Sequence, residues 1–146
     1  MFTQHGAFLL TRCGRVLFLE MKGAWNLETT LAFRRAVLDE ATELNGQEWS
    51  LVTDMTEWEL FTPECEPIVF ETLKQSVSSG LTREALINNN GSIKLNLFKK
   101  YKNKSLYFNG LHIFKRQFFT QKQDGILWLQ QEGVTVLLEN EKYKRC

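Results

Sequence analysis

Histidine is nearly missing from this sequence: His5 and His112 are the only two in 146 residues. Neither stands at metal-ligand spacing from a cysteine or from the other, so no metal site is spelled out. Cysteine is scarce and odd in number, with Cys13, Cys65 and Cys146. That argues against a disulfide framework and for a reducing cytoplasm. Proline occurs twice, as Pro63 and Pro67. No apolar run approaches the roughly 18 residues of a membrane span. The opening MFTQHGAFLL lacks the cationic start and small-residue cleavage site of a signal peptide. There is no G-x-G-x-x-G, Walker loop or G-x-S-x-G. Nothing positions a Ser–His–Asp or Cys–His arrangement, and the carboxylate pairs Glu57/Glu59 and Glu64/Glu66 read as solvated loop and helix-start residues. The expectation is a protein without enzymatic activity, metal or cofactor.

What is present is ordinary for a globular domain: 43% apolar and 24% charged residues. The length suits a single domain, expected over 1–146, with a core of about 7–138 and a polar tail, ENEKYKRC, over 139–146. The net charge of +1 hides a division. Residues 1–90 carry 7 basic and 13 acidic side chains, whereas residues 91–146 carry 11 basic and 4 acidic ones. Such a division marks an interaction face, or lets the two halves complement each other.

The chain is organised around Trp49 to Gly80. Leu51 and Val52 open an apolar strand of residues 50–53, too short and unalternating to be solvated on one face. A polar loop follows from Asp54, with an exposed-looking aromatic in Thr56-Glu57-Trp58-Glu59. Thr62 reads as the N-cap and Pro63 as the first position of a helix that stops at Gly80. Pro67 conflicts with a regular first turn, unless the main helix starts there. Upstream, FLLTR and RVLFLE read as a hairpin about Cys13-Gly14, and Gly23-Ala24-Trp25 as a connection. Asn26 caps a helix over 27–44, with Phe33, Val37, Ala41 and Leu44 on its apolar face and Asn45-Gly46 ending it.

Downstream, residues 84–88 read as a strand. Ser92 to Lys104 fits helix or strand, the helix being favoured by the alternation already established. Leu106 to Phe119 reads as extended, with a turn at Asn109-Gly110. Thr120 caps a last helix to about Gln131, and a final strand is expected over Val134–Leu138.

Three segments carry a resemblance: GRVLFLEMKGAWNLETTLAFRRAVLDEA, LVTDMTEW leading to a Thr-Pro helix start, and FKRQFFTQKQDGILWLQ. Together they cover most of residues 7 to 131, and with them the chain resembles the SpoIIAA-like group of the STAS superfamily. That group includes anti-sigma factor antagonists and cytoplasmic domains of anion transporters. The resemblance implies an α/β fold, a mixed β-sheet with helices packed against it, and no cofactor. Some relatives are grouped with lipid-binding proteins of the Sec14 kind. The STAS motif is a strand ending in Asp, then Asp-Ser-Ser/Thr-Gly at the second helix start, the first serine being phosphorylated. Here the strand-end Asp matches Asp54, while the later four positions fall on Thr62, Pro63, Glu64 and Cys65. Proline cannot be phosphorylated, so the resemblance implies a constitutive module rather than a switch.

The candidate binding residues are therefore Asp54, Thr56, Trp58, Thr62 and Glu64, each with a plainer reading. Asp54 can bond its own loop amides, Thr62 can simply cap a helix, and Trp58, like Trp25, can anchor an interface or fold back on the sheet. Trp128 belongs with the apolar face of the last helix. Between Gly91 and Gln123 stand eight basic residues and no acidic one. Lys99, Lys100, Lys102, Lys115 and Arg116 make up the candidate basic surface, answered either by the acidic first half or by an anionic membrane or acidic partner. The aromatics from Phe98 to Phe119 would suit a nucleic-acid surface, but they read more simply as core, and no nucleic acid is expected. The leading reading is a protein-interaction or regulatory module with a protein partner, with a homodimer or an anionic lipid surface as further readings. The alternative is a carrier of a lipid or other apolar or anionic small molecule in a Sec14-like cavity.

Overall fold

A computed structural model describes residues 6–88, 107–108 and 112–137 of the chain. The elements are β1 (Ala7–Cys13), β2 (Val16–Trp25), α1 (Leu27–Glu43), β3 (Trp49–Phe61), α2 (Cys65–Ser78), β4 (Leu81–Ile87), β5 (Tyr107–Phe108), β6 (His112–Ile113), β7 (Lys115–Phe119) and α3 (Lys122–Gln131). Five strands form one mixed sheet in the order β1-β2-β3-β4-β7. β1 runs antiparallel to β2, and the other neighbours are parallel. β5 and β6 pair separately. The fold expected from the sequence is the one found.

The parallel crossovers place α1 and α2 on one face, as right-handed connections between strands added in one direction require. That face holds the larger core: Leu17, Leu19 and Met21 of β2, Leu51 and Met55 of β3, Leu86 of β4, and Phe33, Val37, Leu73 and Val77 from the helices. α3 covers the other face, where Leu129 meets Val16, Val52, Ala85 and Ile87. Gly125 permits this approach, since a Cβ there would lie 2.9 Å from Ile87 Cδ1.

The local signals for α1 hold. Asn26 is extended and its Oδ1 accepts from the Thr29 amide at 3.1 Å. Asn45 and Gly46 end the helix at positive φ, 53° and 76°. Trp25, read as part of a connection, is instead the last residue of β2 and is fully buried. Its ring meets Phe8, Phe33 and Phe61 at centroid distances of 5.9, 5.3 and 5.9 Å. Its Nε1 donates to the carbonyls of Ala7 and Lys22, both at 3.1 Å.

The main departure is β3. The sequence suggests four strand residues and a loop, but the strand has 13 residues. Beyond Asp54 it leaves β4 and continues along β2 through two bulges. Met55 and Thr56 together oppose Met21, and Glu59 is inserted between the pairs Gly23↔Trp58 and Ala24↔Leu60. Each extra residue shifts the alternation. The inward residues therefore become Met55, Trp58 and Phe61, spaced by three, and the period of two that announces a strand disappears.

Thr62 is not the cap that its position suggests. The helix begins at Cys65 with Glu64 at the cap position and no side-chain cap bond. Thr62 Oγ1 lies 3.2 Å from Cys65 Sγ, and the Thr62 carbonyl accepts from the Cys65 amide at 3.0 Å. Pro67 then falls in the first turn, where its missing amide costs nothing. Likewise the cap position of α3 is Gln121, not Thr120. Residues 134–137 are irregular rather than a strand. Trp128 is half-buried against Phe119 at 5.9 Å, and Leu127 is exposed. The Ser92–Lys104 assignment lies outside the described residues.

A charged cluster is buried between the sheet and α2. Arg116 Nε donates to Glu84 Oε1 at 2.8 Å, and Thr53 Oγ1 donates to Glu84 Oε2 at 2.7 Å. The side chains of Arg116 and Glu84 are only 6% and 5% exposed. This cluster ties β3, β4 and the edge strand β7 across the core face. Replacing one member strands the other's charge, so Glu84→Gln or Arg116→Met should each cost ~3–5 kcal/mol in urea unfolding, while Glu84→Met with Arg116→Met should recover most of it. Equal losses in single and double variants would show that the pair is not what couples these strands. Thermal unfolding is expected as a single transition, unmoved by a chelator; two transitions would divide the chain into separate units.

Candidate functional site

The carboxyl ends of β2 and β3 and the start of α2 converge where the Thr62 amide donates to the Trp25 carbonyl at 3.0 Å. In parallel sheets, ligands gather at this end of the strands. The five candidate residues do not form one surface there. Asp54 follows the inward Thr53 and so points to the α3 side of the sheet. Its Oδ1 accepts from the Thr56 amide at 3.0 Å and the Thr56 hydroxyl at 2.8 Å. That is the plainer of its two readings, a carboxylate fastening its own backbone at the first bulge. Trp58 is fully buried on the opposite face, 4.6 Å from the Phe61 ring. The exposed-looking aromatic is therefore core, because the bulge turned it inward. Thr62 is half-buried, and Glu64 is exposed beside the exposed Pro63.

The basic candidates separate as well. Lys99, Lys100 and Lys102 lie outside the described residues. Arg116 is not a surface residue, because the β7 alternation turns it inward onto Glu84. Lys115, on the other face, is exposed and lies 3.3 Å from Glu132 Oε1. Lys115 first, then Arg83 at 2.9 Å, hold the Glu132 carboxyl below its ordinary pKa.

Sequence reasoning missed the exposed apolar residues at this end. Leu60 is 48% exposed two positions before Thr62, and Leu27 and Leu31 of α1 are 39% and 46% exposed. Leu31 borders a shallow groove between α1 and α2 with Pro67, Ile68, Arg34 and Glu71. A signal was available. Leu27 and Leu31 are four apart on α1 yet fall outside the Phe33–Val37–Ala41 stripe that faces the core, so they form a second apolar line outside it. Glu28, Glu57, Glu59 and Glu64 are exposed around this end. Among the described residues no group of three or more histidine, cysteine or acidic side chains could hold a metal ion, and no helix is long and apolar enough to cross a membrane.

No protein-family model matches the chain, and no curated protein matches it either. Solved structures do. An uncharacterised protein of the DUF3478 family from Shewanella loihica PV-4, described as having a SpoIIAA-like fold, superposes with a TM-score of 0.62 at 16% identity, over 88% of this chain and 97% of its own. An anti-sigma factor antagonist from Mycobacterium paratuberculosis gives 0.56 at 13% identity, over 86% and 94%. The phosphorylated form of SpoIIAA, a Bacillus cell fate determinant, gives 0.54 at 10% identity, over 81% and 96%. At these identities the likeness is one of architecture, and it agrees with the fold implied by the three sequence segments: the chain has a SpoIIAA-like fold.

Proposed function

We propose that this protein is a non-catalytic interaction module that binds another protein through the surface made by the end of β3, the start of α2 and the first turns of α1. The observation that carries the reading is that Leu60 at the end of β3 and Leu27 and Leu31 at the start of α1 are all exposed at this end of the sheet, where Glu28, Glu57, Glu59 and Glu64 are exposed too. Exposed large apolar side chains concentrated at one end of a fold, among charged ones, favour an interaction surface there. The glutamates favour a partner that offers an apolar ridge flanked by lysine or arginine. Two structural neighbours, an anti-sigma factor antagonist and SpoIIAA, are regulatory proteins by name, which supports the same class of role.

The module acts constitutively in this reading. Pro63 occupies the position matched to the phosphorylated serine, and Glu64 supplies a fixed charge beside it at the start of α2, where a negative charge is favoured by about 0.3–1 kcal/mol. The carrier reading finds less support. The cavity enclosed between the sheet and helices α1 and α2 is about 40 Å³, whereas ligand pockets run to roughly 300–1,000 Å³. The membrane reading has lost Arg116 to the core, and Lys115 is shared with Glu132.

A photo-reactive amino acid at Leu60 should crosslink one defined protein in the native cell extract. The same group at Gln130, on α3, should not, and raised salt should weaken the capture by screening the glutamates. Equal capture from both positions, or none from Leu60, would remove this surface from consideration. Thr62→Val should leave capture unchanged and cost less than the ~0.5–2 kcal/mol of a lost N-cap, because Thr62 holds no helix amide with its side chain; a large loss of capture would restore a role for its hydroxyl.

A further inference from the structure

At the opposite end of the sheet, where β3 and β4 begin, lies an opening of about 530 Å³ bordered by Arg15, Ser50, Thr82, Arg83, Glu132 and Thr135. Its volume falls within the roughly 300–1,000 Å³ typical of small-molecule sites. The register of neighbouring strands brings Arg15 and Arg83 to the two sides of Ser50, with Lys115 beyond. Val16, which follows Arg15, pairs with Ser50, Ser50 pairs with Arg83, and Arg83 pairs with Lys115. With neighbouring strands about 4.8 Å apart, Arg15 and Arg83 line the same opening on the two sides of the small Ser50.

The two arginines are prepared differently. Arg83 is held in place: its Nε donates to Glu132 Oε1 at 2.9 Å and its Nη1 to the Thr82 carbonyl at 2.7 Å. That leaves Nη2 without a partner among the described residues. Its side chain is only 20% exposed, so an anion placed there would be partly shielded from water, where a charge-assisted bond counts for more. Arg15 is exposed, in the β1–β2 turn, and has no partner among the described residues. The acids offer little competition. Glu132 is already shared by Arg83 and Lys115, and Glu48 at the rim is engaged in a contact of its own. Val134 and Leu137 add an apolar wall.

We propose that this opening is a binding site for a small oxyanion-bearing molecule, its carboxylate or phosphate group received by Arg83 and Arg15 and the rest of it resting on Val134 and Leu137. The site is separate from the interaction surface at the carboxyl ends, so a ligand here could be bound together with a protein partner.

Backbone amide NMR of the full chain would test this, with inorganic phosphate and citrate as probes and sodium chloride at matched ionic strength as control. At least one probe should give saturable shifts gathered at residues 14–15, 49–50, 82–83 and 133–135, which border the opening. A stronger response to phosphate would point to a phosphate-bearing ligand, and a stronger response to citrate to a carboxylate. Arg15→Gln removes an exposed, unpaired charge and should weaken binding about ten-fold, the loss expected for one charge-assisted hydrogen bond. Thr135→Trp should abolish binding by filling the opening; if it disturbs the fold, Arg15→Gln alone decides. Shifts that chloride reproduces, no saturation with either probe, or unchanged binding in Arg15→Gln would overturn the proposal.

Discussion

Trp25 is the point on which this fold depends. It ends β2, and through one indole and one carbonyl it holds the ends of four other elements. Its Nε1 bonds the Ala7 carbonyl at the start of β1. Its ring is enclosed by Phe8, Phe33 and Phe61, from β1, α1 and β3. Its carbonyl receives the Thr62 amide and the Cys65 thiol, at 3.0 and 4.0 Å, and so sets where α2 can begin. The chain around it has no room for change: a Cβ at Gly6 would fall 2.6 Å from Trp25 Cδ1, and Gly6 stands at φ +80°. A large aromatic that satisfies its own polar handle while filling a junction is worth more than its area alone. Here it also fixes the geometry of the surface proposed to bind a partner.

The two core faces are stabilised by different means. The α3 face is closed by apolar contact and by the bare backbone of Gly125. The α1/α2 face carries Thr53, Glu84 and Arg116 beneath α2. A buried ion pair of this kind contributes little net stability compared with an apolar filling, but it penalises any arrangement that separates its members. β7 is an edge strand of five residues. A registered charge on it, paired with Glu84 of β4, discriminates against a shifted pairing more effectively than phenylalanines on both sides could.

The bulges in β3 link the fold to the candidate site. They keep the strand paired with β2 to its end, bring Trp58 inward and leave Leu60 outward. A strand of regular pleat would have ended at Asp54 or turned the tryptophan to solvent. This end of the molecule therefore presents exposed leucines and glutamates rather than a loop carrying an aromatic anchor.

What the sequence determined by itself were the features governed by neighbours along the chain. The β1–β2 hairpin, the Asn26 cap, the Phe33–Val37–Ala41 stripe and the Asn45-Gly46 stop follow from local hydrogen bonding, helical period and positive-φ tolerance. The three segments that resemble the SpoIIAA-like group pointed to the architecture for the same reason, since they hold the order of elements. Only the tertiary structure decided the length of β3, the inward turn of Trp58, the burial of Arg116 and the start of α2 at Cys65. Each depends on a partner distant in sequence: β2 for the bulges, Glu84 for the arginine, the Trp25 carbonyl for the helix start. A bulge erases the alternation by which a strand is read, and a lysine or arginine in a basic run looks solvated until the opposing strand presents a carboxylate. The opening at the amino ends was invisible for the same reason, because Arg15, Ser50 and Arg83 are neighbours only across the sheet.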